Sequence, residues 1–193
     1  MSEPIPGPLA QAEAIVDYLA TVFGHWGHEA YLGEPVTQAQ HALQAAHRAE
    51  QAGADDAEIA AALLHDIGHF LVADAGPEDM EDHRHEEAGA AWLGRYFPPT
   101  VVEPVRQHVA AKRYLCAVEP GYFASLSAAS VHSLKLQGGP MDRDEVAAFE
   151  ALSCHGSCVR VRRWDEMAKE ANRTIPEFGH FRGILVGLLQ GRG

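Results

Sequence analysis

Apolar residues along this chain recur at helical spacing, and no segment sustains the two-residue alternation of a half-buried strand. Ile15, Val16, Leu19, Val22 and Phe23 mark one face of a helix over 9–23, ending near Gly24. A polar, Gly-containing loop over 27–35 carries Tyr31, Gly33 and Glu34, and a second helix starts at Thr37 and ends at Gly53. Asp55 or Asp56 caps a third helix, which runs through Ile59, Leu63 and Leu64 to His65-Asp66, with Gly68 helping the chain to leave it. A surface loop is expected over 74–82, then helices over 85–96 and 100–115, separated by Pro98 and Pro99. A helix over 125–136 is broken by Gln137-Gly138-Gly139-Pro140-Met141, and helices over 143–152, 159–171 and 178–189 complete the chain. There is no internal repeat and no Gly-rich nucleotide loop, so the pattern predicts an all-α globule. At 193 residues this is a single domain, 1–193.

With 47% hydrophobic and 22% charged residues, the chain has ordinary folded composition. A formal net charge of -12 argues against a nucleic-acid partner, so any anionic ligand needs a local basic pocket. No apolar run approaches the roughly 20 residues of a membrane span, and no secretory signal is visible, so the expectation is a cytoplasmic protein without membrane contact. Cys116, Cys154 and Cys158 form no even framework, and Cys154-His155-Gly156-Ser157-Cys158 has the wrong spacing for a structural zinc site; they read as free thiols.

The chemistry centres on His65-Asp66, at the end of the apolar run Ala60-Ala61-Ala62-Leu63-Leu64. An imidazole and a carboxylate side by side can ligate one metal, and the carboxylate can bridge to a second; alternatively either residue simply caps the helix. His41 on the preceding helix can face His65, or stand as a partly exposed helix histidine. His85 opens a helix, with His83 two residues earlier as a rival candidate. His108 lies among apolar residues, where an imidazole needs either a hydrogen bond or a metal. Asp165 stands three residues after Arg162, as a ligand or half of an ion pair. Four imidazoles and two carboxylates suit iron, manganese or zinc better than an all-oxygen calcium or magnesium cage. Six ligands are too many for one metal with an open position, whereas two metals bridged by Asp66 leave room for substrate.

The order H...HD...H...H...D on consecutive helices resembles the HD-domain superfamily, most of whose members are metal-dependent phosphohydrolases. Several stretches resemble its mixed-valent di-iron oxygenases, in particular the phosphonate oxygenases PhnZ and TmpB. These are Tyr31-Leu32-Gly33-Glu34, Ala61 through His69, His85-Glu86, His108 through Leu115, Gln137 through Met141, and Arg162 through Glu166. The likeness runs from about Tyr31 to Asp165, and residues 1–30 match less clearly.

That resemblance implies a dinuclear site inside the helical bundle, with a mixed-valent Fe(II)/Fe(III) pair and O2 as co-substrate. His41, His65, Asp66 and Asp165 would hold one iron, and Asp66 would bridge to a second held by His85 and His108. His69, Lys112, Ser130 and Arg162 would form the basic pocket for a phosphonate, with no catalytic side chain beyond the di-iron centre. Tyr31 and Glu34 would meet the substrate's ammonium group, Tyr31 also being a potential ligand of the second iron. The implied reaction is oxidative carbon–phosphorus cleavage of 1-hydroxy-2-aminoethylphosphonate or its trimethylammonio analogue, giving phosphate and glycine or glycine betaine. An upstream phosphonate hydroxylase would supply that small-molecule substrate. The competing readings are an HD-type phosphohydrolase, using the same metals on water, and a non-catalytic HD-like regulatory or binding domain.

Overall fold

A computed structural model of the chain describes residues 8–31, 33–71 and 85–191. The loop expected over 74–82 and the rival ligand His83 lie outside these residues. The regular elements among the described residues are helices, with no strand among them; one isolated bridge joins Ala30 to Thr37.

Helix α1 spans Pro8–Trp26, three residues beyond the predicted end. Thr37 caps α2 (Gln38–Gln51) in a reciprocal capping box with Gln40, satisfying two otherwise orphan backbone donors. Asp55 caps α3 (Asp56–Leu64) by accepting from the Glu58 N–H. These two helices pack through alanines: Ala42, Ala45, Ala46 and Ala49 on α2 and Ala60, Ala61 and Ala62 on α3 are all buried. Small side chains bring two helix axes close, so His41 and His65 can meet across the seam.

Gly68 does not lead the chain out of a helix as the sequence suggested. It lies inside a further short helix, α4 (Ile67–Leu71), with His65 and Asp66 at the turn between α3 and α4. A Cβ at Gly68 would stand 1.9 Å from the His85 carbonyl oxygen. Glycine is needed there for close packing on α5 (His85–Leu93) rather than for a turn.

Pro98 and Pro99 open α6 (Pro99–Val118), which extends three residues past the expected end. Ser125, the expected start of a helix over 125–136, instead ends a short helix, α7 (Tyr122–Ser125). The expected helix is α8 (Ala128–Leu136), which begins three residues later because the Ser127 side chain accepts from the Ser130 N–H and caps it. Asp142 caps α9 (Arg143–Glu150). The helix expected over 159–171 is α10 (His155–Glu166): it begins four residues earlier and stops before Ala168. A 3-10 turn (Phe178–Phe181) and α11 (Arg182–Gln190) end the described chain.

Leu19, Leu63, Leu64, Leu93, Phe97, Phe181 and Leu185 belong to one continuous core. Each such side chain contributes about 1.5–3 kcal/mol by leaving water. A second cluster, including Tyr114, Tyr122, Phe149 and Cys158, joins α6 to α9 and α10. Between these apolar masses α2, α3, α6 and α10 converge, and they carry polar groups inward.

Candidate metal centre

The polar groups in that convergence are deeply buried: His41 and His65 are 0% exposed and Asp165 1%. His41 Nδ1 donates to the Ala168 carbonyl at 3.0 Å, and His65 Nδ1 donates to the Ala62 carbonyl at 2.8 Å. A carbonyl only accepts, so these contacts place the ring protons on Nδ1 and leave both Nε2 atoms bare in the neutral rings. Those two Nε2 atoms face each other at 3.1 Å. Bare nitrogens at that distance repel unless a proton or a cation lies between them.

The pattern repeats beside it. His108 Nδ1 donates to the Val105 carbonyl at 2.7 Å, and its Nε2 faces His85 Nε2 at 3.1 Å. Asp66 connects the pairs. Its Oδ1 is 3.4 Å from both His85 Nε2 and His108 Nε2, whereas its Oδ2 is 3.4 Å from His65 Nε2 and 3.7 Å from His41 Nε2. Asp165 Oδ1 completes the first set, 3.3 Å from His41 Nε2 and 3.8 Å from His65 Nε2. Asp66 Oδ2 and Asp165 Oδ1 are buried without a hydrogen-bond partner among the described residues.

Electrostatics agrees with geometry. Burial alone would lower the His65 pKa, but the Asp66 and Asp165 carboxylates override it and lift the group to about 9. Burial alone would raise both carboxyls, yet the histidines around Asp66, and Arg162 followed by the histidines at Asp165, hold both well below their ordinary range. This is a site that attracts positive charge. Ligand atoms about 2.0–2.2 Å from one first-row metal lie roughly 3–3.5 Å apart, close to the separations here, so the residues fit two metal ions sharing Asp66.

The cluster opens into a cavity of about 560 Å³, lined by Asp66, His85, His108 and Asp165 and by all six expected substrate residues, Tyr31, Glu34, His69, Lys112, Ser130 and Arg162. His41 and His65 do not line it. Tyr31 stacks on the His41 ring, centroids 3.9 Å apart. Burial, then the Asp66 and Asp165 carboxylates, raise its phenol well above the ordinary value. His69 stacks on His85 at 4.0 Å, and burial with the His85 charge lowers it to about 3, so the ring is neutral. Asp66, His69 and His85 also offer one donor atom each within 4.8 Å of one another, which makes His69 a geometric candidate for a ligand.

Lys112 is 4% exposed and donates to Ser133 at 2.8 Å. Burial and the nearby Arg162 lower it to about 8. Arg162 was expected as a fork for an oxyanion, but its guanidinium is already engaged: it donates to Tyr122 at 3.0 Å and closely to Asp165 and Glu166.

Three contributors went unassigned in the sequence: Ser133, Lys169 and Gln44. Lys169 follows Asp165 by four residues, a spacing that could have suggested a shared face. Gln44 carries no such signal, because its partner is backbone: it donates to the Glu170 carbonyl at 2.9 Å and accepts from the Glu170 N–H at 3.0 Å. That clamp holds the segment whose Ala168 carbonyl orients His41.

Residues 39–146 match the HD-domain family model. The chain belongs to the HD-domain family. It is 50% identical, over 94% of its length and 93% of the relative's, to [1-hydroxy-2-(trimethylamino)ethyl]phosphonate dioxygenase (glycine-betaine-forming) of Leisingera caerulea. It is 45% identical to hydroxymethylphosphonate dioxygenase of Gimesia maris (strain ATCC 29201 / DSM 8797 / 534-30), over 79% of this chain and 78% of that one. Thus this HD domain shares the HD-family helical architecture, and its His/Asp groups together with dioxygenase relatives imply a metal and O2.

Proposed function

We propose that this HD-domain protein is a non-heme di-iron dioxygenase that cleaves the carbon–phosphorus bond of a 1-hydroxyphosphonate. Candidate substrates are 1-hydroxy-2-aminoethylphosphonate, its trimethylammonio analogue, and the hydroxymethylphosphonate named for one relative. The observation carrying this reading is Asp66, whose two oxygens face two different imidazole pairs at the floor of a cavity holding buried cations.

His41, His65, Asp66 and Asp165 would hold one iron, and Asp66, His85 and His108 the other. When bound, the mixed-valent pair supplies the O2 activation that no side chain here provides. The net reaction balances without a reductant: the hydroxylated carbon is oxidised to a carboxylate, the C–P bond breaks to release phosphate, and both O2 atoms enter the products. A trimethylated substrate gives glycine betaine and a primary amine gives glycine.

The chain's own groups do the rest. Lys112 contributes a buried point charge for the phosphonate, with Ser133 and Ser130 as polar neighbours. Arg162 holds Asp165 and Glu166 in place while adding positive charge. Tyr31 and Glu34 close one side of the cavity, in a loop tied by Tyr31 N–H to Val36 C=O at 3.1 Å and Glu34 N–H to Tyr31 C=O at 2.7 Å. His69, neutral, positions His85 by stacking and offers a proton donor to a bound oxyanion.

A hydroxylase acting on the parent phosphonate would supply the substrate. The unbridged cysteines fit the reducing cytoplasm. The test is product analysis with iron-loaded protein under air and under argon. The dioxygenase yields phosphate and the organic acid only with O2; equal phosphate release under argon identifies a phosphohydrolase instead.

A further inference from the structure

Three carboxylates line the cavity. Asp66 and Asp165 face the imidazoles, which leaves Glu34 as the counter-charge available to a cationic group on a bound molecule. Its Oε1 is buried and has no hydrogen-bond partner among the described residues. Yet a cation already stands beside it: Lys169 Nζ is 3.6 Å from that oxygen. This ammonium is anchored from elsewhere, donating to Ser130 at 2.8 Å, to Glu166 at 3.0 Å and, at longer reach, to Ser127 at 3.4 Å. With those three donors engaged, Lys169 gives Glu34 its charge but no hydrogen bond, and it is not free to swing aside.

The consequence is electrostatic. A substrate bearing an ammonium group near Glu34 meets the like charge of Lys169 in a sheltered site, where such repulsion is poorly screened. A substrate without a cation meets a carboxylate that is already neutralised. We infer that Lys169 is a specificity-determining residue, shifting the preference of the cavity away from ammonium-bearing 1-hydroxyphosphonates and toward cation-free ones. The inference rests on the substrate class proposed above. The two dioxygenase relatives are named for substrates that differ in this respect, one trimethylamino and one without an amine.

The experiment compares iron-loaded wild type with Lys169→Met, Lys169→Gln, Lys169→Arg and Glu34→Gln. For each, kcat/KM is measured with [1-hydroxy-2-(trimethylamino)ethyl]phosphonate and with hydroxymethylphosphonate, and the Kd of each is measured by calorimetry under argon. The ratio of the cation-bearing to the cation-free substrate is internal to each protein, so partial loss of folded material cancels. It should rise about tenfold in Lys169→Met and Lys169→Gln, stay within about twofold in Lys169→Arg, and fall in Glu34→Gln. An unchanged or lowered ratio in both neutral Lys169 variants overturns the inference. If wild type releases no phosphate from either compound in air, the dioxygenase reading fails, and the anaerobic Kd ratio still decides the role of Lys169.

Discussion

Gly68 packs directly against the carbonyl oxygen of His85, so closely that a Cβ there would approach it to 1.9 Å and the Gly89 amide nitrogen to 3.0 Å. This contact seats α5 against α4 and fixes where the His85 imidazole begins. Both of these neighbours are backbone atoms, so Gly68→Ala must move one helix. The expected cost is about 1–3 kcal/mol of stability, read by urea unfolding, with weakened metal binding on the His85 and His108 side. A fully stable Gly68→Ala with normal metal content would show that the two helices give freely.

Gln44 supports the other imidazole pair, through the segment that orients His41. It is 1% exposed and bonds both backbone groups of Glu170. Gln44→Leu leaves those groups unpaired and releases the Ala168 carbonyl that orients His41. The variant should lose about 1–3 kcal/mol by chemical unfolding and bind iron about 10–100-fold less tightly. Unaltered iron affinity would separate the clamp from the ligand.

Arg162 joins Tyr122, Asp165 and Glu166 in one buried fork. Arg162→Leu strands the buried Asp165 carboxylate, while Glu166 keeps Lys169 and Ser130, and should cost about 3–5 kcal/mol. Arg162→Lys keeps the charge but not the fork, so its loss should be smaller. Equal unfolding midpoints for wild type and Arg162→Leu would contradict this.

Lys112 sets a pH limit. Burial first, and Arg162 next, lower its folded pKa to about 8, so the ammonium that attracts an anion is present below that pH and lost above it. With hydroxyphosphonate as substrate, kcat/KM should fall as pH rises through about 8, and Lys112→Arg should extend the plateau upward. The stability effect has the opposite sense. Because the unfolded lysine titrates near 10.4, burying the ammonium destabilises the fold below about pH 8, and that cost is relieved between about 8 and 10.4. A pH profile identical in Lys112→Arg would assign the limb to another group.

Much of this is legible in the sequence. Thr37 marks the start of one helix and the Asp55-Asp56 pair the start of the next, and His41, His65, Asp66, His85, His108 and Asp165 are imidazoles and carboxylates that need a partner wherever the fold buries them. What was not legible depends on contacts between distant segments. Gly68 looks the same in sequence whether it ends a helix or admits a neighbouring backbone. Arg162 reads as an oxyanion fork until Tyr122 and Glu166 are seen to occupy it. The start of α8 at Ser127 rather than Ser125 turns on one local side-chain hydrogen bond, and Lys169 acquires meaning only from the loop that brings Glu34 beside it.

Two cation sites joined by Asp66 are measured by iron loading under argon followed by paramagnetic resonance. Wild type should take up close to two irons per chain and, when partly reduced, show the signal of a coupled Fe(II)/Fe(III) pair that changes on adding hydroxyphosphonate. Asp66→Asn should lose the coupled signal. A wild-type protein that binds one iron, or shows only isolated Fe(III) at full loading, has no dinuclear centre shared through Asp66.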